Sequence, residues 1–344
     1  MSPRLSYLPV GKLPPDLLAR LLARAPLFDR RILLGPGVGL DCAVIDLGDR
    51  LLVLKSDPIT FAADQIGWYA VQVNANDIAT SGATPRWMLT TLLLPEGRAT
   101  QATVEQIGEQ LFTACREIGV SLVGGHTEIT AGLDRPILIG TMLGEVSRDN
   151  LITPRGARPG DRICLTKGVP IEATALLARE FPERLQAVLS KAELHQAQGF
   201  LHNPGIGIWR DAQIAVATGQ VTAMHDPTEG GLAGALWELA EASQHGLLID
   251  PELVPIPPLS ARICQALGID PLESIASGAL LFAASPEHTP AILAALEAAG
   301  IPCGEIGEVL EGPPGVWRAG ADGLDVFPRP ERDAIARLFE NLSI

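Results

Sequence analysis

Ile66-Gly-Trp-Tyr-Ala-Val-Gln-Val-Asn-Ala-Asn-Asp-Ile-Ala-Thr-Ser-Gly-Ala-Thr-Pro85 decides how this chain is read, because it sets polar residues where an apolar pattern expects none. Taken as a helix from Ile66, the positions Ile66, Ala70, Val73, Asp77 and Ser81 are three or four apart and share one face. That spacing turns the Asp77 carboxylate inward, with Asn74 and Asn76 beside it. A buried carboxylate without a partner costs several kcal/mol or takes up a proton. Asp77 is therefore expected to meet a cation, a set of donors or an opening to solvent; a broken helix capped by Asn74 and Asn76 is the alternative. Gly82 is expected to stop the helix, and Pro85 to keep it from resuming.

The whole chain of 344 residues is long enough for two cores. No apolar run is long enough to cross a bilayer, and Met1-Ser-Pro-Arg-Leu-Ser-Tyr7 lacks the pattern of a secretory signal, so a cytoplasmic protein without membrane contact is expected. The five cysteines are scattered, with no Cys-x-x-Cys pair for zinc or redox work, and read as small core residues. A net charge of −14 argues against a nucleic-acid surface. Phosphates remain possible ligands, through metal ions and backbone N–H groups.

Upstream of the central stretch, Leu34-Gly-Pro-Gly-Val-Gly-Leu-Asp41 alternates Gly35, Gly37 and Gly39, so its backbone can bend closely round a ligand or simply form a flexible turn. It lacks the Lys of a P-loop. A helix is expected over 14–25. Cys42 to Leu47 and Leu51 to Asp57 read as two strands joined at Gly48-Asp49. Asp41 and Asp57 then stand at strand ends, and with Asp77 they make a set of hard oxygen ligands suited to Mg²⁺, unless they are merely solvated strand ends.

Downstream, Arg86 to Pro95 reads as a strand and 100–118 as a helix. In Val120-Ser-Leu-Val-Gly-Gly-His-Thr-Glu-Ile-Thr130, Gly124 and Gly125 are expected to open a loop that presses His126, Thr127 and Glu128 against a ligand; a surface histidine is the plainer alternative. Glu128 points the same way as His126 if the strand continues. Pro and Gly cluster over Gly156 to Asp161, the expected boundary between a domain of residues 1–155 and one of residues 156–344. A second polar island, Val221-Thr-Ala-Met-His-Asp-Pro-Thr-Glu-Gly-Gly-Leu232, reads as a strand ending at His225-Asp226 and a helix opening at Gly230-Gly231. That turn could present Asp226 and the Thr228 hydroxyl to a phosphate or substrate; Thr228 as a helix N-cap is the alternative. Strand and helix alternate to the end, with Ala276 to Ala284 expected as one strand.

Asp41-x-Ala-Val44, Lys55-Ser-Asp-Pro58, Val73-Asn-Ala-Asn-Asp-Ile-Ala79 with Gly82-Ala-x-Pro85, Leu122-Val-Gly-Gly-His-Thr127 and Met224-x-Asp-Pro-Thr-Glu-Gly-Gly-Leu232 occur in this order over most of the chain. Together they resemble the aminoimidazole ribonucleotide synthetase superfamily, and the second half, on to Cys264-Gln-Ala-Leu-Gly-Ile-Asp-Pro-Leu272, is most similar to its HypE-type hydrogenase maturation branch. The resemblance implies an α/β N-terminal domain that pairs with its twin into a β-barrel across a homodimer interface, and an α+β C-terminal domain packed against it. It implies ATP with Mg²⁺ in the cleft, and transfer of the γ-phosphate to an oxygen of a small-molecule substrate. Carried over by motif, Asp41, Asp57 and Asp77 are metal ligands supported by Asn74. The glycines Gly35, Gly37, Gly39, Gly124 and Gly125 lie on the nucleotide side, the first three in a mobile cover. Asp226, Thr228, His126 and Glu128 are then the candidates for catalysis.

The departures from that pattern sharpen the expectation. Leu40-Asp41 stands where many relatives have paired Asp residues, and His126 stands where the family usually writes Asp. HypE proteins end in a tail with a terminal Cys; this chain ends Glu340-Asn-Leu-Ser-Ile344, with Glu128 and Ser277 at two further altered positions. The expected activity is an ATP- and Mg²⁺-dependent reaction on a free small molecule, with a maturation-pathway protein as a possible partner, rather than dehydration of a carbamoyl group on its own tail. A kinase resembling thiamine-monophosphate kinase and a non-catalytic nucleotide-binding scaffold are the alternatives.

Overall fold

The computed structural model describes Leu8 and residues 13–60, 64–320 and 323–342; Met1–Tyr7, Ser343 and Ile344 lie outside the described residues. The first half runs α1 (Pro15–Leu22), β1 (Ile32–Leu34), β2 (Ala43–Asp46), β3 (Leu51–Ile59), α2 (Ile66–Thr80), β4 (Thr84–Pro95), α3 (Gln101–Ile118), β5 (Ser121–Thr130) and β6 (Ile137–Val146). The second begins with β7 (Arg162–Thr166), α4 (Ile171–Glu180), α5 (Pro182–Leu185), α6 (Lys191–Gln198), α7 (Trp209–Thr218), β8 (Val221–His225), α8 (Gly231–Ser243) and β9 (Gly246–Ile249). It closes with α9 (Pro258–Leu267), β10 (Leu281–Ala284), α10 (Thr289–Ala298), β11 (Cys303–Leu310), β12 (Gly315–Gly320), β13 (Gly323–Val326) and α11 (Ala334–Leu342). Each half carries one sheet, in the orders β1-β2-β3-β6-β4-β5 and β13-β12-β9-β11-β7-β10-β8.

The quoted stretch is α2, and it ends where expected, with Gly82 at φ 74°. Thirteen of its fifteen residues are buried, so it is a core helix covered on nearly every side rather than one with a single inward face. The first sheet and α3 cover part of it, and α7 of the second half covers more. Two glycines of β6 let it lie close: a Cβ at Gly140 would sit 2.4 Å from Asn74 Nδ2, and one at Gly144 2.4 Å from Ile78 Cγ2.

Two sequence expectations fail on backbone grounds. Gly124 and Gly125 open no loop, because β5 runs unbroken from Ser121 to Thr130, parallel to β4 at the sheet edge, with a register shift between Met88 and Leu89. Gly125 is required by close approach, since a Cβ there would stand 2.0 Å from Thr90 O, at a φ of 153°. Similarly, 276–280 is not strand: Gly278 at φ 114° turns the chain, and only Leu281–Ala284 pairs in the sheet.

Asn76, wholly buried, joins the two halves. Its Nδ2 donates to Ile206 O and its Oδ1 accepts from Ile208 N–H, both at 2.8 Å. Asn76→Ala leaves a buried carbonyl and a buried N–H unpaired, at roughly 1–3 kcal/mol each. A loss of about 3 kcal/mol in urea unfolding is the expected outcome; a loss below about 1 kcal/mol would show that the staple is dispensable.

Candidate functional site

In the β2–β3 hairpin, Ala43 lies opposite Leu54, which brings Asp41 and Asp57 to the same end. Residues of β3 alternate faces, and Leu51, Val53 and Ile59 point into the core. Lys55 and Asp57 occupy the two positions between, so the inward row of β3 turns from apolar to charged as it nears α2. Lys55 Nζ stands 3.2 Å from both Asp57 Oδ2 and Asp77 Oδ2. Asn74 pins this end of the strand: its Oδ1 accepts the Asp57 N–H at 3.0 Å, and its Nδ2 donates to Ala70 O at 2.8 Å. Cys42 Sγ donates to Asp77 O at 3.1 Å.

The second half contributes the strand end and turn of the second polar island. His225, last residue of β8, donates from Nδ1 to Asp41 Oδ2 and from Nε2 to Glu238 Oε2 of α8, each at 2.8 Å. Asp226 follows, 1% exposed, with neither carboxylate oxygen hydrogen-bonded. Asp41, His225 and Asp226 offer ligand atoms within 4.8 Å of one another. The Gly35–Gly39 loop leans on the same helix, where a Cβ at Gly39 would sit 3.4 Å from Glu238 O. Thr228 is half-buried in the turn before α8 and is not its N-cap, a place that Gly230 takes at φ 85°.

Five carboxyl groups, those of Asp41, Asp57, Asp77, Asp226 and Glu238, thus share one cleft with two bases. Burial pushes Asp77 well above the usual carboxylate range, against the pull of Lys55. Burial also lifts Asp226, the charge of Asp41 adds to it, and the group is pushed up to about 7. Burial alone would lower Lys55, but Asp77 and Asp57 reverse that and hold the ammonium well above its ordinary value. His225 likewise overcomes burial through Asp41 and Glu238, so it is an imidazolium with both ring nitrogens donating. Hard oxygen donors with two unsatisfied oxygens on Asp226 fit a divalent cation such as Mg²⁺.

Asp41, Asp57, Asp77, Asn74 and Asp226 are brought together; His126 and Glu128 do not join them within one chain. Both lie exposed on β5, His126 Nε2 3.1 Å from Glu128 Oε2, with Thr130 donating to Glu128 at 2.6 Å. Along the register, Asp57 faces Gly140, Gly140 faces Thr90, and Thr90 faces Gly125. Three strand spacings, roughly 14 Å, therefore separate β5 from Asp57. Lys55, His225 and Glu238 were missed. Lys55 had a readable signal, since its period-two partners are inward and apolar; Glu238, well inside α8, had none.

The sequence pattern of the AIR synthase related protein N-terminal domain matches residues 39–146, and that of the C-terminal domain matches residues 158–318. A carbamoyl dehydratase HypE from Rhizobium leguminosarum bv. viciae is 31% identical over 271 residues, covering 76% of this chain and 73% of that protein. A putative hydrogenase expression/formation protein from Methanocaldococcus jannaschii is also 31% identical, covering 73% of this chain and 74% of that one. Among solved structures, a hydrogenase maturation protein HypE in complex with ATP has the same fold, with TM-score 0.70 at 24% identity over 93% of this chain and 91% of that chain.

Breaking a buried ion pair by removing one partner costs about 3 kcal/mol. Lys55→Met is expected to lose about that much in urea unfolding, and Asp77→Asn in the same chain to recover at least half. Losses that simply add across the two variants would mean that the two groups are not coupled.

Proposed function

The chain belongs to the AIR synthase related proteins, and from that footing we propose that it is an ATP- and Mg²⁺-dependent enzyme, HypE-like in plan, that transfers a phosphoryl group to an oxygen of a small molecule. The observation that carries this reading is Asp226, buried in a cluster of carboxylates with both oxygens unpartnered. Asp41, Asp57, Asp77 and Asp226 would hold Mg²⁺, which supplies charge neutralisation for the transferring group. Lys55 holds the Asp57 and Asp77 carboxyl groups turned inward from 3.2 Å. His225 fixes the Asp41 carboxylate and ties it to α8 through Glu238. The Gly35–Gly39 loop, resting on α8, covers the nucleotide side. Catalysis of this kind is positioning and electrostatic stabilisation more than covalent chemistry. In this reading residues 1–155 form the metal- and nucleotide-binding domain and residues 156–344 supply Asp226 and Thr228 toward the acceptor.

A ligand at a hundred times its Kd adds about 2.7 kcal/mol to the state that binds it. Thermal unfolding with Mg-ATP is expected to show such a gain, to lose it with excess chelator, and to lose it in Asp226→Asn. An undiminished shift in that variant would move the cation elsewhere; no shift in the parent chain would sink the nucleotide reading.

We also propose a homodimer through the first sheet. Its helix-free face and its edge carry exposed apolar side chains: Trp87, Leu89, Val123 and Ile129 are exposed to 36%, 40%, 55% and 58%. An unpaired, exposed edge strand ten residues long is a template for a second copy. In sedimentation velocity the parent chain is expected at twice the monomer mass and Val123→Glu/Ile129→Glu at the monomer mass. A parent chain that sediments as a monomer at micromolar concentration would remove this interface.

A further inference from the structure

The Asp226 carboxyl group makes no hydrogen bond, so the backbone that carries it sets where it points. That backbone is the turn Asp226-Pro-Thr-Glu-Gly-Gly231, and its two ends are held by different parts of the chain. At the start, β8 pairs His225 with Leu281 of β10, and the His225 ring is bonded to Asp41 and Glu238. At the far end the Gly230 N–H leaves the turn and donates to Asp333 Oδ2 at 2.7 Å, a partner 103 residues away.

Asp333 opens α11. Its C=O accepts the Arg337 N–H at 3.3 Å and its Oδ1 accepts the Ile335 N–H at 2.8 Å, which makes it the N-cap of that helix. One carboxyl oxygen therefore starts α11 and the other holds the turn. A serine or asparagine could do the first of these alone, since each has a single side-chain oxygen.

Independent contacts press the same turn from outside and seat α11 beside it. Gly231, at φ 62°, lies so close to 272–274 that a Cβ there would stand 2.5 Å from Leu272 O and 2.6 Å from Ser274 O. A Cβ at Gly230 would meet Pro330 Cγ at 3.5 Å, so the segment leading into α11 runs along the turn. Ile335 is buried, Phe339 packs on Phe181 with ring centroids 5.4 Å apart, and Arg337 pairs with Glu273. The turn thus lies between 272–274 and 330–333, and α11 is anchored to both sides of it.

We propose that Asp333 is a positioning residue for the cation site: through the Gly230 N–H it holds the turn that aims Asp226, so the affinity of the cleft for a divalent cation depends on the docking of α11. This rests on the reading of Asp226 as a ligand for Mg²⁺. Groups that orient a ligand without touching the metal are worth about tenfold or more in metal affinity.

The probe is Mn²⁺ alone, titrated into the full chain and read from the electron paramagnetic resonance of the free ion. Asp333→Ser keeps an N-cap for α11 and withdraws the oxygen that faces Gly230. It is expected to bind Mn²⁺ about tenfold more weakly than the parent chain. It is also expected to exchange amide hydrogens faster over 226–232, with 334–340 as protected as in the parent. Ile292→Val, which removes a methyl group from the buried face of α10, is expected to change neither readout, which separates positioning from a general loss of stability. Should Asp333→Ser not fold, Asp333→Asn carries the same expectations. Parent-like Mn²⁺ affinity in the Asp333 variant beside a loss in Asp226→Asn overturns the proposal, as does unchanged exchange over 226–232. Parent-like affinity in Asp226→Asn as well, or a parent chain that binds no Mn²⁺, overturns instead the reading of Asp226 as a metal ligand, and the proposal with it.

Discussion

Everything in the first half of the molecule is arranged round one electrostatic constraint, a carboxylate turned into the core from a helix that is itself buried. Asp77 cannot be solvated from α2, and an isolated charge there would be lost to protonation. Lys55 answers it from the neighbouring strand, at 3.2 Å, and Asp57 completes the group. The same solution recurs across the cleft, where Asp41 and Glu238 hold His225 from both sides. Charge compensation therefore links β2, β3 and α2 of one half with β8 and α8 of the other. The cleft is held together by the groups that would do its chemistry.

Such an arrangement is poor for stability and good for function. A well-packed apolar core of the same volume would be at least as stable as buried ion pairs. What the ion pairs secure is orientation, because carboxyl groups fixed by Lys55 and His225, on a strand end pinned by Asn74, need little reorganisation when positive charge arrives. Asp226 shows where the compensation stops: with neither oxygen bonded, it carries an unmet demand that the rest of the cluster has satisfied.

The sequence made some of this legible and hid the rest for identifiable reasons. The inward Asp77, the hairpin at Gly48-Asp49 and the strand end at His225-Asp226 follow from local periodicity and turn chemistry, which survive folding. Gly124-Gly125 misled because glycine serves both loops and close strand contacts; only the backbone of β4, brought alongside by tertiary pairing, decides between them. Asn76 looked like a companion of Asp77, yet its amide is spent on Ile206 and Ile208, 130 and 132 residues away, a distance no local pattern encodes. Glu172 was invisible for a different reason. An acid in the first turn of a helix is ordinary as a complement to the dipole, and nothing in Ile171-Glu-Ala-Thr-Ala-Leu-Leu177 says that this turn is buried.

The buried acids of the molecule are not compensated alike, and the difference orders the cleft. Around Asp77 and Asp41 the chain provides its own cations, Lys55 and His225, so an incoming metal would meet carboxyl groups already aimed. At Glu172, in the first turn of α4, burial is not offset by a base in this way, and the carboxyl is pushed up to about 8. The Asp226–Gly231 turn brings Asp226 to the first of these, beside Asp41 and His225. Phosphoryl transfer needs the acceptor oxygen held in line with the leaving group, and a turn fixed by its own bonds, as Asp333 fixes the Gly230 N–H at 2.7 Å, is a physical means of holding such an alignment.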